Sequence, residues 1–178
     1  MHRLFVALHP SPSIRLACLA AREDGPPGWA WQDEDQLHLT LRYIGDVDRP
    51  VAEDVAAALA TIHAPAVEFA LSGVGWFDHG SRGALFARVA PVEPLAALHA
   101  KLDRALVRDG LKPEGRAFLP HITLARRRSL AVDPGGWIGR NAGLISAAER
   151  ISSMILFESH VGRHGSSYEV IASYPLAG

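Results

Sequence analysis

Two periods of apolar spacing run through the 178 residues. Leu95, Leu98, Leu102 and Leu106 recur three and four places apart, which predicts a helix over 94–108 with Pro94 at its start. Pro12 similarly opens a predicted helix over 12–22, and Arg49-Pro50 leads into an alanine-rich one over 51–63. Shorter runs rich in strand formers predict strands over 3–8, 36–44, 67–76, 84–89, 118–125, 151–157 and 168–172. Gly45-Asp46 is read as the end of the second of these. The turn residues Asp78-His79-Gly80-Ser81 join two strands into a hairpin, a glycine- and serine-rich turn over 162–167 joins the last two, and 25–28 and 133–136 read as loops. Strands interleaved with helices place the chain in the α+β class.

The order of elements repeats. Leu4-Phe5-Val6-Ala7 is similar to Leu85-Phe86-Ala87-Arg88, and each run is followed by a proline-led helix, a loop and a strand containing His-x-Thr. Two such halves related by a pseudo-twofold form two lobes, and their histidine strands then face each other across a central groove.

Those strands carry the sharpest signal. The chain has three threonines, and two of them lie two places after a histidine, in Leu37-His38-Leu39-Thr40-Leu41 and Pro120-His121-Ile122-Thr123-Leu124. Random placement of nine histidines and three threonines gives well under one such pair. On a strand, residues two apart share a face. Each segment therefore sets an imidazole beside a hydroxyl. A lone histidine on a strand is usually structural, and the plain alternative is a His–Thr pair that hydrogen-bonds a strand edge. A matched pair of histidines suits a reaction that needs one base and one acid near neutral pH. Displacement at a phosphodiester is such a reaction, with threonine hydroxyls holding the non-bridging oxygens.

Arginines add candidates for anion contact. Arg126, Arg127 and Arg128 follow the second motif, and on an unbroken strand Arg42 shares the face of His38 and Thr40. Two of the three consecutive arginines are expected to be plain strand-end residues. Tyr43, Trp76 and Phe118 could stack a base, although aromatics near strand ends are more often core. The other seven histidines have no matching context.

Composition narrows the reading. An apolar fraction of 48% fits a folded chain of one domain spanning 1–178, and a net charge of −1 argues against a broad clamp for long nucleic acid. A single cysteine, Cys18, removes disulfides and cysteine-based zinc sites, and its expected place is the core side of a helix. His-x-Thr offers one zinc ligand per strand with nothing to complete a set, so no metal and no cofactor are expected. The first apolar run is too short for a signal peptide, and no run is long enough to span a bilayer. The expectation is a soluble, cytoplasmic monomer with no membrane association.

The paired motifs, together with Arg3-Leu-Phe-Val-Ala-Leu8, Ile155-Leu-Phe-Glu-Ser159 and Tyr174-Pro-Leu176, resemble the 2H phosphoesterase superfamily. Within it the nearest likeness is to bacterial RNA 2′,3′-cyclic phosphodiesterases, also called 2′-5′ RNA ligases. That resemblance covers nearly the whole chain. It implies a bilobal α+β fold with antiparallel sheets flanked by helices and the site in the central groove. It implies hydrolysis of an RNA end bearing a 2′,3′-cyclic phosphate to a 2′-phosphomonoester. By the family pattern His38 is the acid, His121 the base, Thr40 and Thr123 hold the phosphate, and Arg126, five places after the second histidine, adds positive charge. Residues alone leave the two histidines equivalent. They also leave open the reverse 2′-5′ ligation, a phosphodiesterase for small cyclic nucleotides, and a non-catalytic module that binds RNA ends.

Overall fold

A computed structural model describes residues 1–177. The elements are β1 (His2–Leu8), α1 (Pro12–Ala20), β2 (Trp29–Trp31), β3 (Leu39–Val47), α2 (Arg49–Ala60), β4 (Val67–Phe77), β5 (Ala84–Ala90), α3 (Glu93–Arg108), β6 (His121–Arg127), α4 (Gly135–Asn141), β7 (Glu149–Ile151), β8 (Ser153–Gly162) and β9 (Gly165–Pro175). Single 3₁₀ turns occupy Glu34–Gln36 and Gly80–Arg82. The α+β expectation holds.

One antiparallel sheet runs in the order β7-β4-β5-β6-β3-β1-β8-β9, and β2 pairs with β6. The order reads as two half-sheets, β6-β5-β4-β7 and β3-β1-β8-β9, that meet between the two histidine strands. Among the described residues their only registered contact is the pair Leu39–Ile122, the middle residues of the two His-x-Thr motifs.

The local causes are ordinary ones. Ser11 accepts a hydrogen bond from the Ile14 amide ahead of Pro12, and Asp48 accepts one from the Val51 amide, so each side chain satisfies an otherwise orphaned amide at a helix start. The leucines of α3 face inward with Ala105 as their spacing predicts, and Cys18 is buried on α1. Along β1 the pleat alternates: Leu4, Val6 and Leu8 join the main core under the helices, while Phe5 and Ala7 form a small cluster with Phe157 on the opposite face. That second face carries the histidines. None of the helices among the described residues is long and apolar enough to cross a membrane.

Each histidine strand contains one extra residue at the same point. Thr40 lies opposite Ala7 and Arg42 opposite Val6, which leaves Leu41 bulged; Thr123 lies opposite Phe86 and Ala125 opposite Leu85, which leaves Leu124 bulged. A bulge moves every later side chain to the other face. Arg42 therefore leaves the face of His38 and Thr40, against the expectation for an unbroken strand. It is 7% exposed and donates to Asp103 Oδ1 at 2.8 Å, to Glu114 Oε2 at 3.2 Å, and to the carbonyls of Tyr43 and Lys112. The matching bulge delivers Arg126, opposite Ala84, to the histidine face. The pairing also shows that Ala7, not Phe5, is the counterpart of Phe86, so the repeated runs match with a two-residue offset that preserves the face.

Other boundaries moved for physical reasons. The first histidine strand continues through Gly45-Asp46 to Val47, because Gly45 takes φ 92° and bends the strand instead of ending it. Segment 133–150, read only as a loop at its start, holds α4 and β7. Two glycines at the start of α4 weaken its intrinsic propensity. Tertiary packing holds it instead: Trp137 is 1% exposed and its indole donates to the Ala21 carbonyl at 2.9 Å.

Candidate active site

His38 stands one residue before β3 and His121 begins β6, on either side of the Leu39–Ile122 pair. Each His-x-Thr motif therefore places its histidine and its threonine on either side of that one pair. Both imidazoles are fixed by the same device. His38 Nδ1 lies 2.7 Å from the Gln36 carbonyl, and His121 Nδ1 lies 2.6 Å from the Leu119 carbonyl, each two residues back along the chain. A carbonyl only accepts, so Nδ1 carries the hydrogen and Nε2 is left with a free lone pair. The first of these carbonyls sits in the 3₁₀ turn at Glu34–Gln36. The Gln36 side chain accepts from the Asp33 amide at 2.8 Å and donates to the Ser166 carbonyl at 2.6 Å.

Aromatic rings pack around both histidines. Phe5 and Tyr168 lie with centroids 4.9 and 5.1 Å from His38, and Phe5 stacks on Phe157. Phe77 and Phe86 lie 5.1 and 5.3 Å from His121 and stack on each other. Burial among these rings disfavours the imidazolium. It pushes His38 down to about 4, opposed by the Gln36 carbonyl and helped by the charge of Arg126 and, once they are protonated, by His121 and His9. His121 is lowered by the same burial and by Arg126, against the Leu119 carbonyl. In the free protein at pH 7 both rings are therefore neutral.

Thr40 and Thr123 are half-buried beside the histidines, opposite Ala7 and Phe86 of the same face. Arg126 is exposed, its charge acts on both imidazoles, and it makes no hydrogen bond or ion pair among the described residues. The five residues singled out by sequence thus gather on one face. Arg127 does not join them. It donates to Asp78 and to the Gly80 carbonyl, and its guanidinium packs 5.4 and 5.3 Å from the rings of Trp29 and Trp76. Phe118 lies flat on His99 at 4.3 Å, so it and Trp76 are both engaged inside the protein, while Tyr43 is 52% exposed.

Sequence reasoning missed the rings around the histidines and the two carbonyls. Phe5 and Phe86 stood in the repeated runs, but nothing in their spacing showed that they meet an imidazole. A backbone carbonyl leaves no trace in a side-chain pattern. Among the described residues one trio is spaced to share a metal ion, Glu158, His160 and Glu169 on the β8–β9 hairpin, and it includes none of the five site residues.

The family model of the 2′-5′ RNA ligase superfamily matches residues 10–133. The chain is 30% identical to the RNA 2′,3′-cyclic phosphodiesterase of Aeropyrum pernix over 147 residues, covering 78% of this chain and 81% of that one. It is 29% identical to the RNA 2′,3′-cyclic phosphodiesterase of Thermus thermophilus, covering 99% and 91%. Its fold superposes on Escherichia coli LigT complexed with 3′-AMP with a TM-score of 0.79, at 24% identity over 99% of both chains. With the family model covering most of its length, the chain belongs to the 2′-5′ RNA ligase superfamily, the 2H phosphoesterases.

Proposed function

We propose that this chain hydrolyses the 2′,3′-cyclic phosphate at an RNA end to a 2′-phosphomonoester, with His38 and His121 as its acid–base pair, and that its 178 residues work as one unit around them. One observation carries the reading. Two imidazoles, each fixed through Nδ1 to a carbonyl, offer their Nε2 atoms on one face at either side of a single strand pairing. The relatives named RNA 2′,3′-cyclic phosphodiesterase supply the substrate class.

In this mechanism neutral His121 takes a proton from water as its oxygen bonds to phosphorus. The bond from phosphorus to O3′ breaks, His38 Nε2 protonates O3′, and the phosphate stays on O2′. Charge on the non-bridging oxygens is held by the Thr40 and Thr123 hydroxyls and by Arg126. His38 must carry a proton to act as the acid, yet in the free protein its pKa is about 4. The phosphodiester anion supplies the missing partner: a negative charge beside an imidazole raises its pKa. Proton uptake thus accompanies substrate binding. The expected consequence is a displacement between two pH profiles. The alkaline limb of kcat, which reports the bound state, lies about one pH unit or more above that of kcat/KM, which reports the free enzyme. Coincident limbs would remove substrate-induced protonation.

The reaction itself is tested by incubating the protein and a short RNA bearing a 2′,3′-cyclic phosphate in EDTA and mapping the product end. A 2′-phosphate supports the assignment. A 3′-phosphate reverses which oxygen leaves and exchanges the roles of the histidines. No conversion overturns the proposal. The same assay with excess 5′-hydroxyl RNA reads ligation.

A further inference from the structure

The histidine pair is close to symmetric, so it does not by itself say on which side the rest of an RNA chain lies. A cavity of about 550 Å³ breaks the symmetry on the His38 side. It opens between β2 and its following turn, the end of β6, and the turn of the β8–β9 hairpin. Three of its lining residues tie it to the site: Arg126, Gln36, whose carbonyl fixes His38, and Tyr168, which meets His38 edge-on. Its volume falls in the range of cavities that take a ligand of nucleotide size.

The charges of this cleft are unspent. Arg126 and Arg128 line it from β6 and the residue after it, and Arg163 lines it from the hairpin turn. None of these three guanidiniums makes a hydrogen bond or ion pair among the described residues, in contrast to Arg127 between them in sequence. The cleft's one carboxylate, Asp33, lies 3.7 Å from Arg22 and is thereby already partnered. Three guanidiniums against one engaged carboxylate make a local positive site on a chain of net charge −1. On the His121 side Arg88, paired across from His121, is occupied: it donates to the Val74 carbonyl at 3.1 Å and lies over Phe86.

Resting on the reaction proposed above, we infer that this cleft holds the phosphodiester immediately 5′ of the reacting nucleotide. Arg128 and Arg163 contact that phosphate, and the RNA leaves the histidine pair past Tyr168. A guanidinium suits this role because it can grip a phosphate through two parallel N–H donors and never loses its charge. The enzyme then reads a chain end with a phosphate upstream, and a mononucleotide leaves the cleft empty.

The test compares kcat/KM for a cyclic-phosphate mononucleotide and for a trinucleotide ending in the same residue, in the parent protein and in Arg128→Gln and Arg163→Gln. The parent is expected to favour the trinucleotide, and each substitution to cut that preference about tenfold, the size of one lost charged hydrogen bond. The salt dependence of trinucleotide log(kcat/KM) should also flatten by about 0.7 per arginine removed, as counterion release from a single strand requires. An equal preference in parent and variants, or turnover of both substrates by the parent with no preference, overturns the cleft assignment and leaves the reaction standing. Failure of the parent on both substrates overturns the reaction, and the cleft assignment with it.

Discussion

Replacing either His38 or His121 with alanine should lower turnover of a cyclic-phosphate RNA end by about 10² to 10⁴, the usual contribution of a positioned proton donor or acceptor. The two losses should not add. Acid and base serve one transition state, so the double variant is expected near the slower single one, not at the product of both effects. The losses should also differ in their pH dependence: removing the base erases the acid limb of the profile, and removing the acid erases the alkaline limb. Single-turnover kinetics across pH, beside circular dichroism to confirm the fold, checks both. A variant that retains the parent rate would remove that histidine from the chemistry. Because Phe5 and Tyr168 pack on His38, His38→Gln is a useful second variant that keeps more of the side chain's bulk.

The largest effect on stability is expected from Arg42→Leu. The guanidinium is buried and answers four acceptors: the carboxylates of Asp103 and Glu114 and the carbonyls of Tyr43 and Lys112. Removing one partner from a buried ion pair leaves the other charges uncompensated, which costs about 3–5 kcal/mol. For a chain of this length that corresponds to a fall in Tm of roughly 6–20 °C. Catalysis below the new melting temperature should be close to the parent's, because Arg42 lies on the face away from the histidines. A thermal melt and a low-temperature rate measured together separate the possibilities. Loss of kcat/KM with an unchanged Tm would return Arg42 to the phosphate.

Arg42 also marks the boundary of what the sequence makes legible. The histidines and threonines could be found because residues two apart share a face on any strand, bulged or not, as long as the irregularity comes later. It comes immediately later, at Leu41 and Leu124. Nothing in Leu-Arg-Tyr or Leu-Ala-Arg announces an extra residue, so alternation placed Arg42 on the wrong face. Arg126 was one of three consecutive candidates until family resemblance singled it out, and the bulge is the physical reason that an odd spacing from His121 can reach the site. The helix of α3 was plain from its leucines, whereas α4 was hidden because its glycines oppose helix formation and one tryptophan buried against Ala21 overrides them. The cleft at Arg163 could not be read at all, since it joins residues about 130 positions apart in sequence.

The arrangement of the two half-sheets sets an order of assembly. Strands β4 to β7 form one continuous stretch of chain, residues 67–151, whereas the other half-sheet joins β1 and β3 from the beginning to β8 and β9 from the end. Leu4 pairs with Glu158, so the central strand of that half lacks one neighbour until residue 158 has been made. Contacts between distant segments form late, and a nascent chain folds what it already has. The surroundings of His121, Phe77 and Phe86, are complete while Phe157 and Tyr168 of His38 are still to be synthesised. A chain cut short before β8 and β9 would therefore leave the ribosome with His121 housed and His38 packed by Phe5 alone of its three rings.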